Sequence, residues 1–573
     1  MKRFLFIVVF LALTAVSPLY ALVDTVYVAS DVPPSEGNLN NAIAANIGDL
    51  NNKVFKLEAY GLYILSATIT IPAGQHLTIV GPEPGSTQAT APAQILWTSS
   101  TAPDTRFNFD CFGDITLKHI WLLYARTDGS QVGSSLQIEN NDSSFQNGYF
   151  EDVIFDYSPV PQNASGAVGI TAPHFRGVFK NCYFRNLTDS HFRYYGRAVS
   201  FPFGTTGWHT DSISFTNCTF ANMGYVYMQE GAEYADYVSF NHCTFLNSMM
   251  FTLESPWWHW LSVTNSIYVN AYMFGDIISQ RGGGMYPNGG AISVDSISTF
   301  GFSVPFIESE RHILFAHNSY KIETWLSDYM DHGNPYSDTA GPDNKPNPQP
   351  MMNDRTISIF NDDIGWPYAS MFNNYDNTDP GFLLAPTNVE RIKEFLLKKW
   401  TDNSDISWAF DTATAINGIW PLSENLRYTN ATLRTAGMGG LPLGDLYRWD
   451  KTRYNTWLAQ EATEKATIEN WLTNGVTEVK TRPGIPEKFE LAQNFPNPFN
   501  PVTKIDYSIP RGEEVSLKVY DLVGREVATL QSGYQGPGNY TASFDGGKFP
   551  SGVYYYRLEA GSTMLTGKMT LIK

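Results

Sequence analysis

The chain has 573 residues, 43% of them hydrophobic and 16% charged, so it can bury several cores and is expected to hold two or three domains. Acidic residues outnumber basic ones, 56 against 38, and no Lys/Arg cluster follows the first residues. This excludes the electrostatic footprint of a nucleic-acid-binding protein. Four cysteines are too few for a fold held together by disulfides. The fold must therefore rest on packed cores.

The amino terminus has the pattern of a secretory signal peptide. Lys2 and Arg3 precede an apolar run over residues 4–15, and a small residue precedes a cleavage point after Ala21. We therefore predict a signal peptide over residues 1–21, with an uncleaved anchor as the alternative. No later stretch has the length of a membrane span, so we expect none in the mature protein.

The chain contains an internal repeat of eight residues, the last copy being shorter. The copies occupy residues 117–124, 150–157, 179–186, 215–222, 240–247, 263–270 and 315–320. Position three is His, Asp or Asn in every copy, and these residues tolerate the left-handed backbone conformation. Position one is large and apolar, and position six is aromatic or Leu. The repeat therefore predicts a strand, a bend and a second strand, stacked in successive coils.

This pattern resembles the right-handed parallel β-helix of the pectate-lyase-like superfamily. A column of asparagines at the ends of four copies adds to the resemblance, as do the segments 38–43, 63–71 and 76–81, which are similar to the superfamily's amino-terminal cap and first coils. The predicted fold class is all-β, with a β-helix over residues 22–330. Fold alone does not establish function.

Two further regions follow the repeat. Residues 331–482 contain a Pro-rich loop and two helical patterns, Asn388 to Trp400 and Asn455 to Leu472. We interpret them as an extension that caps the open end of the β-helix, because a solenoid must hide its last strand edge. A small independent domain is the alternative.

Residues 483–573 alternate apolar and polar positions between Gly/Pro turns, which predicts a small antiparallel β-sandwich. The segment also resembles the type A sorting domain of type IX secretion cargo. The resemblance depends chiefly on a motif formed by Asn494, Pro496, Asn497, Pro498, Asn500 and Pro501. It implies export to the cell surface or the medium, with the type IX machinery as a partner.

The cysteines and the acids suggest different roles. Cys182, Cys218 and Cys243 share position four of the repeat and are interpreted as stacked core residues, with Cys111 unpaired. Carboxylates follow the asparagine column at Glu230, Glu254 and Asp276. If these acids stack on successive coils, their spacing suits the carboxyl pair of a glycosidase, and such a stack would also suit Ca²⁺.

Aromatic and basic residues follow these acids. Trp257, Trp258, His259 and Trp260 form a run, and Arg281 comes soon after Asp276. Sugar rings stack on apolar π surfaces, so this set is a candidate polysaccharide site. Solvated turn acids and buried tryptophans are the alternative interpretation.

The function is predicted to be that of a non-catalytic scaffold, secreted or on the cell surface, that binds polysaccharide or another surface. A carbohydrate-active enzyme, either a polysaccharide lyase or a glycoside hydrolase, is the alternative, with Glu230, Glu254 and Asp276 as candidate catalytic residues. No complete catalytic set of the superfamily's known enzymes can be placed on consecutive coils, which favours the scaffold.

Overall fold

The computed structural model describes most of the chain after residue 23. The described residues are 24–99, 107–130, 132, 135–139, 145–156, 166–188, 196–201, 209–228, 234–255, 257–277, 279, 290–294, 296–297, 304–362, 364–402, 406, 419–475, 488–510, 513–535, 538–561 and 563–573. The predicted signal peptide lies outside them. The chain divides into two compact units, one made of residues 1–231 and 384–425 and the other of residues 232–383 and 426–573.

The strands of the first unit are short and lie between frequent turns. They are β1 (Asp24–Tyr27), β2 (Lys53–Lys56), β3 (Leu62–Leu65), β4 (Ile69–Ile71), β5 (His76–Val80), β6 (Ala93–Trp97), β7 (Phe107–Cys111), β8 (Asp114–Arg126), β9 (Ser135–Ile138), β10 (Gln146–Asp156), β11 (Val168–Ile170), β12 (Phe175–Lys180), β13 (Tyr183–Leu187), β14 (Arg197–Ser200), β15 (His209–Thr210), β16 (Ser212–Thr216), β17 (Thr219–Met223) and β18 (Tyr225–Met228).

The second unit continues with strands of the same kind and ends in longer ones. Its coil strands are β19 (Tyr234–Asn241), β20 (Thr244–Ser248), β21 (Leu253–Ser255), β22 (Trp257–Thr264), β23 (Ile267–Ala271), β24 (Asp276–Ile277), β25 (Ile292–Val294), β26 (His312–Ala316), β27 (Ser319–Lys321), β28 (Pro346–Asn347) and β29 (Tyr368–Phe372). Two more strands, β30 (Phe382–Leu384) and β31 (Asn425–Tyr428), pair with each other.

The helices are few. They are α1 (Asn38–Ala44), α2 (Thr324–Asp331), α3 (Asp354–Ile359), α4 (Val389–Thr401), α5 (Leu446–Trp449), α6 (Lys451–Leu458) and α7 (Glu461–Asn474). The two predicted helical patterns are confirmed, although the second is interrupted between α6 and α7. Asn388 caps α4, because its side-chain oxygen accepts a hydrogen bond from the Arg391 amide.

Parallel strands of the first unit form three rows, each running from coil to coil. The first row is β1-β2-β5-β8-β10-β12-β16, the second is β3-β6-β8-β10-β13-β17 and the third is β4-β7-β9-β11-β14-β18. The second unit repeats the scheme, with β19-β22-β26-β29 as its first row, β20-β23-β27 as its second and β21-β25 as its third. The predicted all-β fold with a parallel β-helix is confirmed.

The bends lie where position three of the repeat predicts them. His119, Asp152, Asn181, Asn217, His242, Asn265 and His317 all have left-handed backbones, with φ between 51° and 62°. A second left-handed column ends the repeat at Asn186, Asn222, Asn247 and Asn270. Short polar side chains tolerate this conformation and hydrogen-bond locally, which explains their use at both corners.

Inward-facing residues stack in register from coil to coil. Phe155, Phe184 and Phe220 form one column, with neighbouring ring centroids 4.5 Å and 5.1 Å apart. In the second unit, the rings of Phe245 and Tyr268 stack at 4.3 Å. All four cysteines are buried and none of them is in a disulfide, so the interpretation as core residues is confirmed.

The extension adds a strand to the second unit and covers one of its rows. Strand β29 pairs in parallel with β26 and continues the first row of the second unit, with another left-handed bend at Asn373. Helix α7 covers the outward side of that row, where Ile468 and Leu472 pack against Leu314. Residues 384–425 belong instead to the first unit. The extension is therefore lateral cover as well as an added strand, because outward apolar residues must also be buried.

Residues 488–573 form the predicted antiparallel β-sandwich. One sheet contains β32 (Glu490–Leu491), β33 (Val502–Ile509) and β36 (Gly538–Asp545), and the other β35 (Glu526–Gln535), β34 (Glu513–Tyr520), β37 (Gly552–Ala560) and β38 (Thr563–Leu571). Its core contains Phe499, Leu517, Phe544 and Tyr556.

Candidate functional site

The three predicted acids do not form the expected column where they can be located. Glu230 lies outside the described residues, and of Glu254 only the backbone is described. Glu254 lies in β21 and pairs with Ser293 on the next coil, whereas Asp276 lies in β24, antiparallel to Asn347. The expectation that Glu254 and Asp276 stack on neighbouring coils is therefore wrong. The segments after the asparagines differ between coils, so a similar distance from the preceding asparagine does not give the same register.

The tryptophan run is split between the interior and the surface. Trp257 and Trp258 are completely buried, so neither ring is presented to solvent in this structure. His259 is partly exposed, stacks on Phe306 at 4.3 Å, and has its Nδ1 atom 3.7 Å from a carboxylate oxygen of Asp236. Arg281 lies outside the described residues. The structure therefore does not bring the predicted binding residues together as one surface.

Trp260 takes part in an aromatic ladder below helix α7. Its ring stacks on His312 at 3.6 Å, and His312 stacks on Tyr368 at 4.2 Å. The Nδ1–H of His312 donates to the Leu472 carbonyl at the end of α7, at 2.7 Å. Burial lowers the pKa of His312 to about 4, so the ring is neutral at neutral pH. This ladder attaches a helix and offers no ligand site.

Two buried carboxylates of the extension were not predicted. In the first unit, Glu424 accepts a hydrogen bond from the Tyr183 hydroxyl at 3.0 Å and lies 3.2 Å from the guanidinium of Arg185. Arg185 also approaches Asp156, at 3.7 Å. Burial raises the pKa of Asp156 although Arg185 opposes the shift. These contacts fix Glu424 of the extension to the second row.

In the second unit, the buried carboxylate is that of Glu464 in α7, which lies at the bend after β19. Its carboxylate accepts hydrogen bonds from Asn241 at 2.7 Å and from the Trp457 indole at 2.9 Å, and it lies 3.4 Å from His242. Burial alone would raise the pKa of Glu464, but His242 and these hydrogen bonds outweigh it and lower the pKa. Among the described residues, no group of three or more His, Cys, Asp or Glu side chains is placed to hold a metal ion such as Ca²⁺.

In the second unit, α7 covers the outward surface of the first row. In the first unit, the outward surface of the first row carries polar side chains that are partly open to solvent. We call this surface the polar face. It is defined by His76, Asp114, Lys118, His119, Phe145, Asn147, Tyr149, Glu151, Asp152, His174, Arg176, Lys180, Asp211, Ser212, Ser214 and Thr216. Strand register aligns its members in columns across the coils, such as Lys118, Glu151 and Lys180.

Charged groups on the polar face are paired across neighbouring coils. The Lys118 ammonium lies 2.8 Å from Glu151 and 4.8 Å from the centre of the Tyr149 ring. His119 Nδ1 lies 3.0 Å from Asp152, whose carboxylate is buried. Burial would raise the pKa of Glu151, but the hydrogen bond and the charge of Lys118, together with Tyr149 and His119, outweigh burial and lower the pKa.

One end of the polar face carries an exposed aromatic ring. Phe145 is 53% exposed, and the Arg176 guanidinium lies 4.1 Å from the centre of its ring. His174 Nδ1 lies 3.2 Å from Asp211, and Arg176 Nε lies 3.6 Å from the same carboxylate. Sequence reasoning missed this face, although the outward positions next to each bend could have indicated it.

The predicted sorting motif precedes the first long strand of the sandwich and is hydrogen-bonded to its last strand, β38. Asn494 is buried, and its side-chain amide donates to the Pro496 carbonyl and to Thr503. The Asn497 side chain accepts a hydrogen bond from the Thr570 amide. The motif residues Pro496, Asn497, Pro498, Asn500 and Pro501 are exposed, and the Pro501 carbonyl accepts from the Gly546 amide.

Comparison with known families identifies this domain. Residues 493–573 match the model of a secretion system C-terminal sorting domain. The protein is therefore secreted or displayed at the cell surface, and the domain implies an interaction with the type IX secretion machinery. No curated protein matches the chain. Within the described part of the chain, no helix has the length and apolar character needed to cross a membrane.

Proposed function

We propose that this protein is a non-catalytic scaffold, delivered by type IX secretion, that binds polysaccharide at the cell surface or in the medium. The observation that carries the proposal is the polar face. The corresponding row of the second unit is covered by α7, whereas the polar face presents partly exposed polar and aromatic side chains on a rigid sheet.

The chemistry of the polar face suits a sugar ligand. Sugar hydroxyls need donors and acceptors, which the carboxylates, Asn147 and the three Ser and Thr residues supply. Sugar rings also pack on apolar π surfaces, and Phe145 and Tyr149 supply two of these. Parallel strands keep these groups in fixed register, so little conformational entropy is lost when a ligand binds.

Affinity electrophoresis of the full chain tests the proposal. Gels would contain neutral or uronic-acid polysaccharides, with and without calcium. We expect at least one polysaccharide to retard the protein, and Phe145→Ala to weaken the retardation. Tyr60→Ala is the matched control, because Tyr60 has a similar exposure of 51% but lies outside the polar face. Absence of retardation on every polysaccharide would refute the proposal.

The alternative is a carbohydrate-active enzyme, and the pair of His119 and Asp152 supports it. The carboxylate fixes Nδ1 of the imidazole, an arrangement that leaves Nε2 to act as a general base. New reducing ends or unsaturated uronate, lost in His119→Asn, would favour the enzyme. Asn is the residue at the same bend in three later copies of the repeat, namely Asn181, Asn217 and Asn265, so this variant preserves the fold. Glu254→Gln tests the acid predicted from the sequence.

A further inference from the structure

We infer that the polar face selects an uncharged polysaccharide and rejects polyanions. The inference rests on the proposed function and names its ligand class. It derives from how the charges of the face are distributed, because a polyanion needs basic groups that are free to pair with it.

The basic side chains of the polar face already have partners. Lys118 is held by Glu151 at 2.8 Å, and the two side chains are similarly exposed, at 25% and 26%. Arg176 lies between the Asp211 carboxylate and the Phe145 ring. Lys180 also has an interaction partner. A carboxylate or sulfate of a ligand would have to share each of them with an existing partner.

The overall charge of the face points the same way. Its three Lys and Arg side chains face four carboxylates, and the whole chain carries a net charge of −18. A polyanion would therefore meet carboxylates on the coils of β8, β10 and β16. Hydroxyl groups meet no such repulsion, and they can donate to the same carboxylates and accept from the paired lysine and arginine.

The face also favours a long ligand. Its columns continue over neighbouring coils, for example from Asp114 through Asn147 to Arg176, and the Asn147 side chain donates to Asp114 at 3.0 Å. Parallel strands repeat about every 4.8 Å, so polar groups recur at short and regular intervals. Affinity should therefore increase with the number of sugar units.

Titration of the full chain with soluble polysaccharides tests the inference. The neutral set is xylan, mannan and mixed-linkage β-glucan, with oligomers of increasing length. The anionic set is polygalacturonate, alginate and chondroitin sulfate, measured at low and high salt. We expect a neutral polymer to bind at least about tenfold more tightly than any anionic one, with little effect of salt.

Glu151→Gln provides a gain-of-function test. The change frees Lys118, so the variant should acquire salt-sensitive binding to an anionic polymer. Glu526→Gln in the sorting domain is the matched control, because it frees Lys518 from a pair of the same 2.8 Å length outside the polar face. That control should gain no such binding.

The outcomes separate the two proposals. Preferential binding of a neutral polymer, with the gain in Glu151→Gln alone, supports the inference. Equal or tighter binding of a polyanion by the unmodified protein overturns the inference and leaves the proposed scaffold standing. No binding to either set overturns the proposed function itself.

Discussion

The two units differ on the outward side of their first rows of strands. In the first unit this row presents paired charges such as Lys118 and Glu151, whereas in the second it presents Trp260, Leu314 and Phe372 beneath α7. Their inward sides are alike, since both contain stacked aromatic columns. Inward residues therefore build the coil, and outward residues determine whether it is covered or left open to a ligand.

The inward aromatic columns should contribute equally to the stability of the two units. Phe184→Ala in the first and Phe245→Ala in the second each remove a buried ring from a stack, so each should destabilise its unit by about 3 to 5 kcal/mol. Denaturant unfolding followed by hydrogen exchange in the coil strands measures the loss. A large loss in one unit and a negligible loss in the other would contradict the equivalence.

The covered row should depend on the buried carboxylate of α7. Glu464→Ala leaves His242 and Asn241 without their partner, and we expect a loss of about 3 kcal/mol with faster hydrogen exchange in α7. Glu464→Gln retains an acceptor and should lose less. Exchange in the first unit serves as the internal reference. Unchanged exchange in α7 would show that apolar packing alone holds the helix.

Acid should weaken the same attachment in a defined pH range. Folding lowers the pKa of His312 from 6.5 to about 4, so the ring stays neutral in the folded protein. Between pH 6.5 and pH 4 the unfolded chain therefore binds more protons than the folded protein. The stabilisation is complete above pH 6.5 and declines as the pH falls towards 4, by at most about 3 kcal/mol. Unfolding of the full chain across this range measures the decline.

His312→Phe keeps the aromatic ladder but cannot take up a proton. The dependence of stability on pH between 6.5 and 4 should therefore flatten in this variant. His332→Gln, which changes an exposed histidine, should keep the original dependence. A separate loss at lower pH should remain in both variants, because the lowered pKa of Glu464 contributes stability above about pH 4.5 that is lost as its carboxylate protonates.

The coil was predictable from the sequence because its signals are local. A bend needs a residue that tolerates positive φ, and Asn, Asp or His marked all seven predicted bends. The added strand β29 was missed because a long insertion separates it from the repeat, although Asn373 forms the same bend. Repeats reveal register only where successive copies remain recognisable.

The candidate site was less predictable because it depends on distant residues. Glu464 lies 222 residues from His242, and Glu424 lies 241 residues from Tyr183, so no local pattern joins them. The Trp257 and Trp258 rings are interior although they adjoin an outward Trp260. Adjacent aromatic residues therefore give no indication of which ones are buried.

The smallest effect on stability should come from the open row. Lys118→Ala, Glu151→Ala and the double variant should each change the free energy of unfolding by less than about 1 kcal/mol, because a partly exposed ion pair contributes little. The same variants should weaken retardation by a neutral polysaccharide. Denaturant unfolding and affinity electrophoresis of one protein preparation measure both quantities.

The contrast with Glu464→Ala gives this measurement its meaning. A loss of stability as large as that of Glu464→Ala would show that the polar face is itself a structural element, with no surplus of polar groups for a ligand. A stable fold with weakened binding would show that the outward residues of the first unit serve recognition. The double-variant cycle separates these outcomes, because it isolates the energy of the pair from the loss of each side chain.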